Sequence, residues 1–420
     1  MTYMLLRGDF VIRYPDLPRQ GPEPDGDTVK FRPDAPLLIE ALPRPSGTPP
    51  DLGARGISVR LEAIDALETH FGETHQELAG ANAARDELLR ILGFTNVAFF
   101  EDSPNKVRSA DQDTLRGHVL TNGVDANGRL IAFVFAGDSP DPDGTTVFLD
   151  EARVDASANA QLLAAGHAYP AFYATLPAAL RDHLSASSRA ARATQPPLNV
   201  WARSTADPNG AATVPDLAAL QQLAIWPKLF RRLVPFLASG ATSFDGLDAW
   251  LRADPVHRDD ELFRLDILER ANIHDVVRGS GQHVQLTVWP EDFVISPDPA
   301  LPGTPTGGST AGVGDVLILA ALADPVGTDR AHELVTLLNT TATPVDLAGW
   351  RLVDQAGGRM GLTGKVAAGA TLQVTASGAV PLGNRGDSLL LVDAGGATID
   401  QVAYTADQVR PGRTIAFGRT

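Results

Sequence analysis

Cysteine is absent from the 420 residues. This excludes disulfides, zinc–thiolate sites and thiol nucleophiles, and suits a reducing or an oxidising compartment equally well. No run of 18 apolar residues occurs either, so no membrane span is expected. The opening stretch "MTYMLLRGDFVIRYPD" lacks a long apolar segment behind a basic start. No signal peptide is therefore expected, and a cytoplasmic location is the corresponding expectation. Positive charge is scarce: the net charge is −16, and lysine is rare beside arginine. That excludes a broad basic coat for nucleic acid. It leaves room for an enzyme in which a few arginines and a divalent metal hold one phosphate on an acidic body. The nine histidines show no H-x-x-x-H spacing, and His70 and His75 flank a turn and a helix start.

What is present is ordinary globular material, 44% hydrophobic and 20% charged, enough for two or three domains. Residues 1–205 read as a β-rich block followed by helices. "FVIRY", "TVKF", "ISVRLEAID", "VAFFED", "LRGHVLTNGV" and "RLIAFVFAGD" are short β-branched or alternating runs. Between two of them, "THQELAGANAARDELLRILGF" carries a capping box of Thr74 with Glu77, and Leu78, Leu88 and Leu92 share a helical face. Two later helices follow in "NAQLLAAGHA" and "LPAALRDHLSASSRAARA", the second with Pro177 near its start. The expected class is α+β and multidomain, beginning with a small barrel. Residues 32–56, rich in proline and glycine, read as an inserted surface loop.

Residues 206–296 read as mostly helical, ending in the strand "HVQLTVWPEDFVIS". The basic "KLFRR" there reads as a solvated helix face in preference to a phosphate contact. Residues 297–313, "PDPALPGTPTGGSTAGV", read as a linker. Residues 314–420 read as short strands separated by turns, as in a β-sandwich.

The chemistry concentrates in three pieces of the first block. "PDGDTVKF" sets Asp25 and Asp27 around a glycine before a strand. "VRLEAIDALE" carries Arg60, Asp65 and Glu68. "DANGRLIAFVF" places Arg129 after a glycine turn. Together they offer carboxylates for a hard cation, two guanidiniums for a phosphate and a spare carboxylate for a water, the set that phosphodiester hydrolysis needs. On a straight strand Arg60 and Asp65 point to opposite faces, so they converge only if the chain bends between them.

The order "DGDTVKF … VRLEAIDALE … DANGRLIAFVF … NAQLLAAGHAYPAFY … LNVWA" resembles the staphylococcal nuclease family over roughly residues 9–202. The resemblance implies an OB-fold-like five-stranded barrel and calcium-dependent cleavage of DNA or RNA at the 5′ P–O bond. It makes Asp27, Asp65 and the carbonyl of Ala66 calcium ligands, Glu68 the general base, and Arg60 and Arg129 the phosphate-binding arginines. The sequence departs from the family at Ala66-Leu67, where a proline commonly precedes the glutamate, and at Asn127, where an aromatic often precedes the glycine. Phe172 and Tyr173 stand where the family has tyrosines near the nucleotide, and read equally as core aromatics. Further on, "HELVTLLNTTATPVDLAGWRLVDQAGG" and "LGNRGDSLLLVDAGGATIDQVAY" resemble the lamin tail domain, an immunoglobulin-like sandwich. There Trp350 is expected in the core, with Asn384 and Asp387 in turns. That resemblance implies attachment to a protein, nucleic acid or surface partner. The expectation for the whole is a nuclease with an attachment domain. The alternative is a catalytically weak or inactive barrel scaffold that binds nucleic acid or protein.

Overall fold

A computed structural model describes residues 2–40, 42–44, 48–194, 199–255, 257–296, 314–326, 332–341, 344–376 and 380–417. The expected linker at 297–313 lies outside the described residues. The chain forms two compact units. One comprises Met1–Glu40 with Thr48–Pro299, and the other is built on Ala300–Thr420.

Five strands of the first unit close into a barrel. They are β1 (Thr2–Val11), β2 (Thr28–Pro33), β3 (Ile57–Leu61), β4 (Thr114–Val124) and β5 (Leu130–Ala136). Round the barrel the order is β1-β2-β3-β5-β4 and back to β1. Four of the pairings are antiparallel, and β3–β5 is parallel, with Val59 opposite Leu130. Alternation explains the closure. Val29 and Phe31, with Ile57, Val59 and Leu61, are buried. Between them Thr28, Lys30, Ser58 and Arg60 point the other way and are half-buried. Phe10, Phe31, Tyr3 and Phe133 fill the interior.

The helix after the third strand covers Leu78–Leu92. Its cap is Glu77, which accepts from Gly80 N–H at 2.8 Å, whereas the Thr74 hydroxyl donates back to Phe71 O. The expected Thr74–Glu77 box therefore does not form, because Thr74 closes the preceding turn instead. Leu88 and Leu92 are buried, but Leu78 is exposed at the helix start. The other two expected helices are Ala158–Ala164 and Ala178–Thr194.

The middle segment is mixed, not mostly helical. Its longest helix is Pro227–Ala238. Glu261–Arg264 and Glu269–Asn272 form a hairpin where continued helix was expected, and Phe293–Ile295 adds a third strand. A second small sheet joins Ala212–Thr213, Val277–Ser280 and His283–Leu286. Residue 205 is not a boundary either. Leu67, Ala81, Tyr169 and Trp201 share one apolar cluster with Trp226, Phe230, Leu262 and Phe293. The barrel's helical side and the middle segment bury their apolar faces on each other, which a composition shift along the chain does not reveal.

The second unit has two four-stranded sheets. One runs Thr371–Thr375, Leu334–Asn339, Val316–Leu322 and Ile415–Ala416. The other runs Arg359–Gly361, Arg351–Asp354, Gly386–Val392 and Thr398–Thr405. Their facing side chains, with Trp350 at 1% exposure, make a single core. Asp387 accepts from the backbone N–H groups of Gln355, Gly383 and Ser388 at 2.8–3.2 Å, which is turn chemistry.

Candidate functional site

The site begins with the bend the sequence required. After β3 the chain turns at Glu62-Ala63, with Ala63 at φ +70°. It continues as the short strand Ile64–Ala66, which leaves the barrel to pair with Ala168–Pro170. The turn reverses the side-chain parity, and Asp65 swings back towards Arg60.

Asp27 arrives from the entrance to β2. Its Oδ2 accepts the Ala66 N–H at 3.1 Å and lies 3.7 Å from Arg60 Nη1, and its Oδ1 accepts from the Thr28 hydroxyl at 2.9 Å. Gly26 permits this approach. A Cβ there would sit 2.6 Å from Ala66 Cβ and 2.7 Å from Ala84 Cβ, so the residue serves close packing as well as a turn. Arg60 Nη2 donates to Asp65 Oδ1 at 3.0 Å.

A residue the sequence reading passed over completes the cluster. Arg231, on the helix Pro227–Ala238, donates from Nη2 to both Asp65 oxygens at 3.0 and 2.7 Å, and from Nη1 to Glu68 Oε1. Gln76 holds the two segments together. Its side chain accepts from Glu68 N–H at 3.1 Å and donates to Ile225 O at 2.8 Å, just before that helix. Phe71 packs edge-on to Phe230 beside them. The other basic residues of the helix are also paired, for Lys228 and Arg232 both meet Asp260, at 2.5 and 2.6 Å. The "KLFRR" face is thus ion-paired instead of solvated. Its signal in the sequence was three cations within five residues of an amphipathic helix in an acidic chain.

The electrostatics follow from burial. Asp25 is pushed well above the usual carboxylate range by burial, then by Asp27 and Glu68. Glu68 is raised by burial, with Arg231 opposing and Asp27 and Asp65 adding. Burial acts the same way on Asp65, but Arg231 and then Arg60 outweigh it and hold that carboxyl low. Asp27, Asp65 and Glu68 thus share two guanidiniums, and burial holds Asp25 beside them towards its neutral form.

The structure brings Asp27, Arg60, Asp65, Ala66 and Glu68 together. Arg129 stands outside this network. Its Nε and Nη2 meet Asp125 Oδ2 at 2.8 and 2.7 Å, within the turn that Asp125 caps by accepting from Asn127 and Arg129 N–H. The inserted loop reaches that turn, with Asp51 N–H donating to Gly128 O at 2.8 Å, while Arg55 stacks 4.4 Å over Tyr14. Tyr14, Thr28, Lys30 and Ser58 line a cavity of about 150 Å³ beside β2. Of the two aromatics, Phe172 is fully buried, and Tyr173 is half-buried near Arg60 and Lys228.

Asp27, Asp65 and the Ala66 carbonyl are hard oxygen donors of the type calcium takes. Among the described residues, however, no three carboxylate or imidazole groups converge as ligands. The Arg231 guanidinium lies on Asp65 and Glu68 where a cation would be drawn. As arranged, the residues do not fit a bound calcium ion.

Among the described residues, no helix is long and apolar enough to cross a membrane. No curated protein matches the chain. Residues 309–406 match the lamin tail domain family, which accounts for the two-sheet unit and stops short of the barrel.

Proposed function

We propose that the barrel unit is a phosphodiesterase of the nuclease type, acting on DNA or RNA, and that the lamin-tail unit attaches it to a protein, nucleic acid or surface partner. The observation that carries this reading is the convergence of Asp27, Arg60, Asp65 and Glu68. They come from two segments some thirty residues apart, and Arg231 ties Glu68 into one ion network with the other three at the edge of a closed barrel. The strand order, with β3 parallel to β5, supports an OB-fold relationship and with it the likeness to staphylococcal nuclease.

In this reading Arg60 donates to a phosphate oxygen, and the planar fork suits it to that task. Glu68, raised by burial, takes the proton of the attacking water. Arg129 leaves one residue before Leu130, which pairs with Val59 next to Arg60, so the two arginines emerge from adjacent strands. Exchanging Asp125 for a phosphate would make Arg129 the second phosphate ligand. The roles given to these side chains do not depend on a bound metal ion.

A saturated ion network favours a second reading, a barrel that binds without turnover. Hydrolysis of fluorescent single-stranded DNA and RNA, with calcium or with EGTA, separates the two. Cleavage by the wild type is expected, with a loss of about a hundredfold or more in Glu68→Ala and in Arg60→Ala. Cleavage absent from the wild type and from Arg231→Gln with both substrates would establish the scaffold.

A further inference from the structure

We infer that Arg231 is the resident cation of the carboxylate cluster, and that its guanidinium and a divalent metal ion exclude one another there. Three observations meet in this assignment. The guanidinium contacts both oxygens of Asp65 and one of Glu68, so a single cation already spans two of the acidic groups. Asp27 Oδ2 accepts the Ala66 N–H and, like Asp65, faces Arg60, so a guanidinium already stands between these two carboxylates. The helix that carries Arg231 is seated by the Gln76 side chain, itself fully buried, and by Phe230 against Phe71.

Arg60 and Arg231 already pair with Asp27, Asp65 and Glu68, and a divalent ion could reach Asp65 and Glu68 only by taking oxygens that Arg231 holds. Arg231 is anchored on its helix at one end only. Its side chain keeps 18% exposure, so it is not sealed within the core. A planar fork on a long side chain competes well with an ion for one carboxylate pair, and then swings aside without unfolding the helix.

This inference takes its site from the proposed function but is read out by binding, so the two fail separately. The experiment titrates the full chain with calcium by calorimetry and with terbium by luminescence. It compares wild type, Arg231→Gln, Arg231→Lys and the double variant Arg231→Gln/Asp65→Asn. Arg231→Gln should bind one ion about tenfold or more tighter than wild type, and the double variant should lose that gain. Arg231→Lys, a point charge without the planar fork, should fall between wild type and Arg231→Gln. If Arg231→Gln is unfolded without metal, refolding on added calcium supports the inference equally. Wild type binding as tightly as Arg231→Gln, through Asp65, overturns it, and so does a folded Arg231→Gln that gains no affinity. Absence of cleavage in every variant would remove the nuclease reading and leave the binding result standing.

Discussion

Glu62→Gln is the perturbation whose consequence follows most directly from burial. Glu62 sits at the bend after β3 with 2% exposure, and its Oε2 finds no hydrogen-bond partner. Burial, opposed only by Arg60, pushes its carboxyl up to about 7 from an ordinary 4.5. A carboxyl with a raised folded value favours the fold while it is protonated. Its contribution is complete below pH 4.5 and is lost as the pH climbs through 7. At about 1.4 kcal/mol per pH unit, the loss amounts to about 3 kcal/mol by pH 8. Glutamine stays neutral throughout and keeps the shape. The variant should match wild type near pH 5 to within about 1 kcal/mol and exceed it by up to about 3 kcal/mol near pH 8.5. Thermal unfolding followed by tryptophan fluorescence reads the right unit, because Trp201, Trp226, Trp250 and Trp289 belong to the first unit and only Trp350 to the second. A wild-type-to-variant difference that is the same at both pH values would refute the reasoning, since it would mean that Glu62 is already ionised in the fold at pH 5.

Other substitutions test the supports of the site. Gly26→Ala should cost about 2 kcal/mol by overpacking against Ala66 and Ala84, and should loosen the Asp27–Ala66 contact. Thermal denaturation with amide exchange at Ala66 checks both effects. Asn159 accepts from Val134 N–H and donates to Glu62 O and Ala132 O at 2.8–3.0 Å. Asn159→Ala removes all three bonds, although Ala132 O keeps the Glu62 N–H at 2.9 Å, and should cost about 2 kcal/mol, measured by urea unfolding. Trp350→Ala should cost about 4 kcal/mol in the second unit and leave the melting of the first unchanged, which calorimetry separates into two transitions.

The parts of this molecule that were legible are those in which neighbours along the chain decide the outcome. The alternation in "TVKF" and "ISVRL" places Val29, Phe31, Ile57 and Val59 inside and Thr28 and Arg60 outside. The parity clash between Arg60 and Asp65 demanded a bend, and Ala63 supplies it. What could not be read depends on partners far away. Arg231 lies 163 residues from Glu68, and the run of cations on its helix does not by itself name their partners. The shared core of Trp201, Trp226 and Phe293 was hidden because the turn at Asp207–Gly210 looks like the end of a domain. The hairpin at 261–272 was missed because its charged residues give no clear period and tertiary pairing overrides weak local preference. Arg129 was legible as a residue type and position, but its partner Asp125 was not weighed, although it stands only four residues earlier.

The distance between the acidic cluster and Arg231 also bears on synthesis. The last barrel strand ends at Ala136, and the helix bearing Arg231 ends at Ala238. At about 5–20 residues per second, about 100 residues of chain separate a complete set of barrel strands from their counter-charge by about 5–20 s. Until the middle segment is made, Asp65 and Glu68 lack the guanidinium that pairs them, and Leu67 and Tyr169 lack the apolar faces of Trp226 and Phe230. The edge of the barrel that carries the cluster is therefore completed late in synthesis, by a segment that belongs to no barrel strand.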